Sequence, residues 1–236
     1  MSKNIRHGFP FNIIMNLGDL TLMLQEDFAR YDKEQSGWYT KWINRGIRKI
    51  CQDRSWNCMR KSANVTISAG SSSVNLPADF KELQNERPAV FYCDPANAEN
   101  KTPVRITSRA YMDDHDTGML WPPAWAAGSQ TALEAFIEQS STGQYTLNVD
   151  DNLSQDATYR VQYFGFFDDL VNNADSNYIT NNYEDMLTCK IKEIAFLSVN
   201  DPIAADFMTV YKNYLQEAWR DDQNRKHSGR KLRMGG

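Results

Sequence analysis

The chain has 236 residues, with 26 Lys and Arg against 30 Asp and Glu for a net charge of −4, and it is 41% apolar and 24% charged. That composition excludes a disordered chain, and no run of about 18 apolar residues is present to span a membrane. Four cysteines (Cys51, Cys58, Cys93 and Cys189) form no C-x-x-C pair, which argues against a disulfide scaffold or zinc site and fits a reducing cytoplasm.

The chain opens on a short stretch, Phe9 to Leu17, interrupted by Pro10, Asn12 and Asn16 and followed by no small-residue cleavage site. It is read as something other than a signal peptide. Leu17, Leu20, Leu24, Phe28 and Tyr31 then recur at helical spacing, with Asn16 as an N-cap and Asp19 three residues on. Ser36-Gly37 breaks the pattern and starts a second helix. Its apolar face carries Trp38, Trp42, Ile43, Ile47 and Ile50, and Arg45, Arg48 and Lys49 lie on the other face.

From about residue 60 to 167 the period changes. Val65 to Ile67 and Val74 to Leu76 flank Ala69 to Ser73, which predicts a hairpin closed by Pro77. Further strands are expected at Ala89 to Cys93, Pro103 to Thr107, Ala132 to Glu138, Gln144 to Val149 and Tyr159 to Phe167. Turns at Thr142-Gly143 and in the polar run Asp150 to Asp156 separate the last three. A small antiparallel sheet or barrel is expected.

An Asn-rich loop, Asp168 to Asn182, leads to two more helices. Asn181 and Glu184 resemble a capping box, followed by the stripe Tyr183, Leu187, Ile191, Ile194 and Ala195. Asp201-Pro202 is a strong start for a helix with the stripe Phe207, Tyr211, Tyr214, Leu215 and Ala218. The expected fold is α+β. A four-helix bundle (two N-terminal and two C-terminal helices) carries a β-rich insertion and an extended C-terminal tail. The expected boundaries are 1–59 and 168–222 for the two helical pairs, 60–167 for the insertion and 223–236 for the tail.

The net charge hides an asymmetry. Residues 223–236 contain Arg225, Lys226, Arg230, Lys231 and Arg233 and no acid, so the remainder of the chain carries −9. An acidic body is a poor surface for nucleic acid, whereas the basic tail suits nucleic acid or an acidic protein surface.

The search for catalytic chemistry finds little. There is no phosphate-binding loop, dinucleotide fingerprint, nucleophile elbow or H-E-x-x-H. Asp113-Asp114-His115-Asp116 has metal-compatible donors, but adjacent residues seldom converge on one ion. The run Asp150-x-Asn152-x-Ser154 lacks a calcium loop's glycine and its closing glutamate, having Gln155 and Val161 instead. Asp168-Asp169 reads as a loop or cap rather than an acid–base pair. No cofactor is expected. Trp121-Pro122-Pro123-Ala124-Trp125 is a rigid aromatic segment, and exposed tryptophans there suit protein interfaces better than base stacking.

The segment Trp38 to Ile50 resembles the second helix of head-to-tail adaptor proteins of tailed bacteriophages. Its aromatic start is followed by the step Ile43-Asn44-Arg45 and then Ile47 and Ile50. Ser71 to Leu83, containing Leu76-Pro77-Ala78-Asp79-Phe80, is similar to that family's strand followed by Leu-Pro-x-Asp-Phe. Tyr159 to Phe164 resembles its closing strand. The stretch from Asp94 to Thr142 matches no part of the pattern.

The resemblance implies a non-enzymatic virion protein of the neck, assembled in the host cytoplasm. It would form a head-to-tail ring of about twelve copies between the portal protein and a tail tube or nozzle protein. Genomic DNA would pass through the ring without specific recognition, and no membrane is involved. It further implies a C-terminal segment, here Asp221 to Gly236, that reaches the portal, with the five tail cations as its candidate contacts. Trp121 and Trp125 are candidates for the subunit or tail interface. Two alternatives from other classes stand beside this reading. One is a hydrolase using a carboxylate pair on a cell-wall or sugar substrate, and the other is a nucleic-acid-binding protein using the basic tail.

Overall fold

The structure, a computed structural model, describes residues 15–28, 36–84, 88–94, 101–107, 134–149 and 153–228. The chain divides into two compact units. A helical unit comprises Met1–Cys58 with Phe167–Gly236, and a β unit comprises Met59–Phe166.

In the helical unit, α1 (Leu17–Phe28) begins with a reciprocal cap. The Asp19 amide donates to Asn16 Oδ1 at 3.0 Å and the Asn16 amide to Asp19 Oδ2 at 3.1 Å, satisfying amides that the first turn leaves free. Leu17, Leu20, Leu24 and Phe28 form the buried stripe. Helix α2 (Ser36–Asp53) buries Tyr39, Trp42, Ile43, Ile47 and Ile50. At Gly46 a Cβ would lie 2.9 Å from Ile191 Cγ1, so glycine there permits close approach of α2 to α4 (Glu184–Ser198).

The Asn-rich loop is pinned to these helices. Asn44 Nδ2 donates to the Leu170 carbonyl at 2.9 Å, and the Leu170 amide donates to Asn44 Oδ1 at 2.8 Å. The Leu17 and Gly18 amides donate to the carbonyls of Asp175 and Asn173. Inside the loop the Asp175 carboxylate accepts from the Asn172 and Val171 amides, and those bonds hold its pKa below the ordinary value.

The capping box lies four residues earlier than the sequence suggests. Asn177 and Thr180 form it at the start of α3 (Tyr178–Asn182), and Tyr183 begins α4 without a side-chain cap. Asn200, at φ 56°, turns the chain after α4. Asp201 Oδ1 accepts from the Ile203 amide ahead of α5 (Ala204–Ser228).

A four-helix bundle is not what forms. Among the described residues the unit has five α-helices, and they are not equivalent. Helix α4 buries Met186, Leu187, Cys189, Ile191, Glu193, Ile194, Ala195 and Phe196, residues on more than one face. It sits among α2, α3 and α5, and Phe28 of α1 stacks on its Phe196 at 4.6 Å. Helix α5, by contrast, buries a narrow seam of Ala204, Tyr211, Ala218 and Asp222. A bundle needs similar amphipathic stripes facing one axis, and here one central helix carries the packing. Nor does an extended tail begin at Gln223, because α5 continues through Ser228. Among the described residues no helix is long and apolar enough to cross a membrane.

The β unit holds an apolar core of its own. Its strands are β1 (Arg60–Ile67), β2 (Ser73–Asn75), β3 (Phe80–Leu83), β4 (Val90–Cys93), β5 (Lys101–Ile106), β6 (Glu134–Gln139), β7 (Tyr145–Val149) and β8 (Ala157–Gly165). They form one eight-stranded mixed sheet in the order β1-β8-β4-β5-β6-β7-β2, with β3 also on β8. Strands β2 and β1 approach each other, so the sheet nearly closes. The β5–β6 pair is parallel and the others are antiparallel.

The hairpin expected around Ala69 to Ser73 is absent. Strand β1 pairs with β8 (Ala63 opposite Val161) and β2 pairs with β7 (Val74 opposite Leu147). Long cross-strand partners outcompete the local turn because β8 offers eight residues of register and an apolar face. Val65, Ile67, Val90, Tyr92, Leu147, Val149, Tyr159 and Val161 alternate with half-buried or exposed neighbours and fill the interior.

Alkaline pH should unfold this unit cooperatively. Burial is the main cause that pushes the Tyr159 and Tyr163 phenols up to about 12. In an unfolded chain tyrosine ionises near ~10, so the unfolded state loses its protons first. The stabilisation is therefore complete below about pH 10 and disappears on going from about 10 to 12. Phenolate absorbance should rise together with loss of β-sheet circular dichroism. Full ionisation near pH 10 with an unchanged spectrum would refute this.

Candidate interaction surface

The outward side of α2 is cationic. Trp38, Lys41, Arg45, Arg48 and Lys49 project from one arc of that helix, and all five are exposed. Lys41 Nζ lies 5.1 Å from the Trp38 ring centroid. Arg48 pairs with Asp169 at 3.3 Å, with both side chains more than half exposed. Arg45 and Lys49 have no carboxylate partner among the described residues.

The end of α5 is held by buried chemistry. Asp222, 1% exposed, accepts from the Asn57 amide at 3.0 Å and from Asn57 Nδ2 at 2.9 Å. Trp56, fully buried, packs against Trp219 and Tyr183, and Arg54 lies over the Trp219 ring. One turn beyond Asp222, Arg225 bonds the Asp221 carboxylate at 2.9 Å, the Tyr178 hydroxyl at 3.0 Å and Asn182 Oδ1 at 3.2 Å. Of the five tail cations, Arg225 therefore helps seat α5, and Lys226 continues that helix. Arg230, Lys231 and Arg233 lie outside the described residues, as do Trp121 and Trp125.

Apolar side chains also face solvent in this unit. Leu197 and Ile203 flank the turn between α4 and α5, Met208 and Val210 follow on α5, and Val171 tops the pinned loop at 75% exposure. The sequence stripes do not reveal these residues, since each is one apolar letter among many and only the packed partners show which face is left over.

No group of three or more His, Cys, Asp and Glu among the described residues is placed to hold a metal ion. The acidic run Asp113 to Asp116 lies outside the described residues. Asp169 is engaged by Arg48 rather than set opposite a second carboxylate.

The three segments that carry the family resemblance are structural. Trp38 to Ile50 lies within α2, and Tyr159 to Phe164 lies within the central strand β8. Leu76 to Phe80 is a corner at the β8 end, tied there by its aspartate. Asp79 accepts from Lys61 Nζ and the Tyr163 hydroxyl, its carbonyl accepts from the Phe166 amide, and the Phe80 ring stacks on Tyr163. Gly165 completes the corner, because a Cβ there would lie 2.6 Å from Asp79 Oδ2.

No curated protein matches the chain. The family model described as SU10 adaptor protein matches residues 15–234, from the start of α1 into the C-terminal tail. The chain belongs to the SU10 adaptor protein family, structural proteins of the phage head–tail junction.

Proposed function

We propose that this protein forms an oligomeric ring in the virion neck, joins the portal to the tail and extends the DNA channel. The family match over residues 15–234 carries the reading. The surface supports it. A ring of head-to-tail copies needs two different patches on each subunit, and the helical unit exposes both a cationic helix face and separate apolar side chains. A complement of about twelve copies follows the family pattern, with the tail tube or nozzle protein docking on the opposite side. Trp121 and Trp125 are assigned to the subunit or tail contact. DNA passes through without specific recognition.

The portal contact is assigned to the basic C-terminus. In the sequence Arg230, Lys231 and Arg233 come directly after α5, and Arg225 anchors the end of that helix. Pairing with portal carboxylates would be strongest at low salt.

Mixing purified protein with its portal and imaging the mixture tests the reading. Closed rings seated on the portal are expected. A strictly monomeric species that ignores portal rejects the assignment. Reversing Arg230, Lys231 and Arg233 to Glu should weaken portal capture while leaving the fold intact. Undiminished capture rejects the role given to the tail, and salt-dependent DNA binding through it would instead assign it to nucleic acid.

A further inference from the structure

We propose that the cationic face of α2 is one half of the contact between neighbouring copies, and that it meets carboxylates on α4 and α5 of the next copy. The inference rests on the ring reading above and names the surfaces that close it.

Lys41, Arg45, Arg48 and Lys49 span nine residues of one helix, about 12 Å. Among the described residues only Asp169 pairs with one of them, through an exposed contact with Arg48 of small energetic value. A chain with net −4 has thus gathered four cations on one arc and left two of them unpaired among the described residues.

The acids gather elsewhere in the same unit. Asp185 and Glu217 are exposed on α4 and α5, and both raise the pKa of Tyr214, Asp185 being the largest cause. Glu184 is raised first by desolvation and then by Asp185 and Asp19, so these carboxylates repel one another within one copy. The dipole of α4 offsets part of that repulsion at Glu184 and Asp185. A cationic surface from outside would relieve it.

A second copy fits this arrangement better than DNA does. Each copy has both charge signs on different helices, as a heterologous contact requires. Four cations give at most about four phosphate contacts, which supports only weak non-specific DNA binding at physiological salt.

The test is a charge swap in the full chain, measured as assembly on the portal by sedimentation. Arg45→Glu with Lys49→Glu should reduce assembly about tenfold or more. Adding Asp185→Lys and Glu217→Lys to that variant should restore it, because every copy then has both halves inverted. All four positions are exposed, and circular dichroism of each variant checks the fold.

Undiminished assembly of the double variant overturns the proposal and leaves the ring reading standing. A loss that the fourfold variant does not restore also overturns it. Failure of the unmodified protein to assemble on portal removes the ring reading itself. In parallel, salt-dependent binding of a DNA duplex that the double variant abolishes, with assembly intact, overturns the proposal and assigns α2 to DNA.

Discussion

Trp56→Ala is expected to destabilise the helical unit by about 3–5 kcal/mol, the range for removing a buried large aromatic. Trp56 is fully buried, with ring contacts to Tyr183 at 5.2 Å and Trp219 at 5.7 Å. Its Nε1–H donates to the Ile50 carbonyl at 3.2 Å, near the end of α2, where that carbonyl also accepts from the Arg54 amide at 3.3 Å. The truncation would leave a cavity between α2 and α5 and remove one of the two donors to that carbonyl. Trp56→Phe should lose much less, since it retains a ring and forfeits mainly the hydrogen bond, about 1 kcal/mol. Equilibrium denaturation of both variants separates the two contributions. A midpoint for Trp56→Ala equal to that of the unmodified protein would show that the aromatic cluster does not hold the helices.

Asp79→Ala is expected to lower the stability of the β unit by about 2 kcal/mol. The carboxylate accepts from Lys61 Nζ at 2.5 Å and from the Tyr163 hydroxyl at 3.1 Å. The lysine half is worth little, because Lys61 is more than a third exposed and can turn to water. The tyrosine half is worth more, because Tyr163 is buried and its hydroxyl would be left unsatisfied. Tyr163→Phe should therefore cost less than Asp79→Ala, and the double variant should lie close to Asp79→Ala alone. Additive effects in that cycle would show that the two side chains act independently. Removing Asp79 also withdraws part of what holds the Tyr163 phenol at about 12, although burial, the larger cause, remains. Its titration should move only part of the way back towards ~10.

Asp79 shows what a sequence motif carries and what it does not. Leu-Pro-x-Asp-Phe is visible as a string, but its meaning lies in partners far along the chain: Lys61, Tyr145, Tyr163 and Phe166. The candidate surface behaves in the same way. The basic arc of α2 follows from helical spacing alone, because a period of 3.6 residues decides which side chains share a face. That Arg45 and Lys49 remain unpaired among the described residues, that Arg225 is taken up by Asp221 and Tyr178, and that Leu197 and Ile203 stay exposed are properties of the packed unit.

By itself, the sequence determined the local elements: the Asn16–Asp19 cap, the α1 stripe from Leu17 to Phe28, the α2 stripe apart from the exposed Trp38, the Asp201 start of α5, and most strand positions, while Tyr31 lies outside the described residues. Each depends on neighbours within a few residues, so composition and period are sufficient. Tertiary structure decided the rest. It paired β1 with β8 instead of β2, made α4 a central helix instead of one of four equal partners, and carried α5 on through Ser228. These outcomes compare long-range burial with local preference. The acidic group of Asp19, Glu184 and Asp185, unlike the basic face of α2, joins residues of two helices and forms only once they pack.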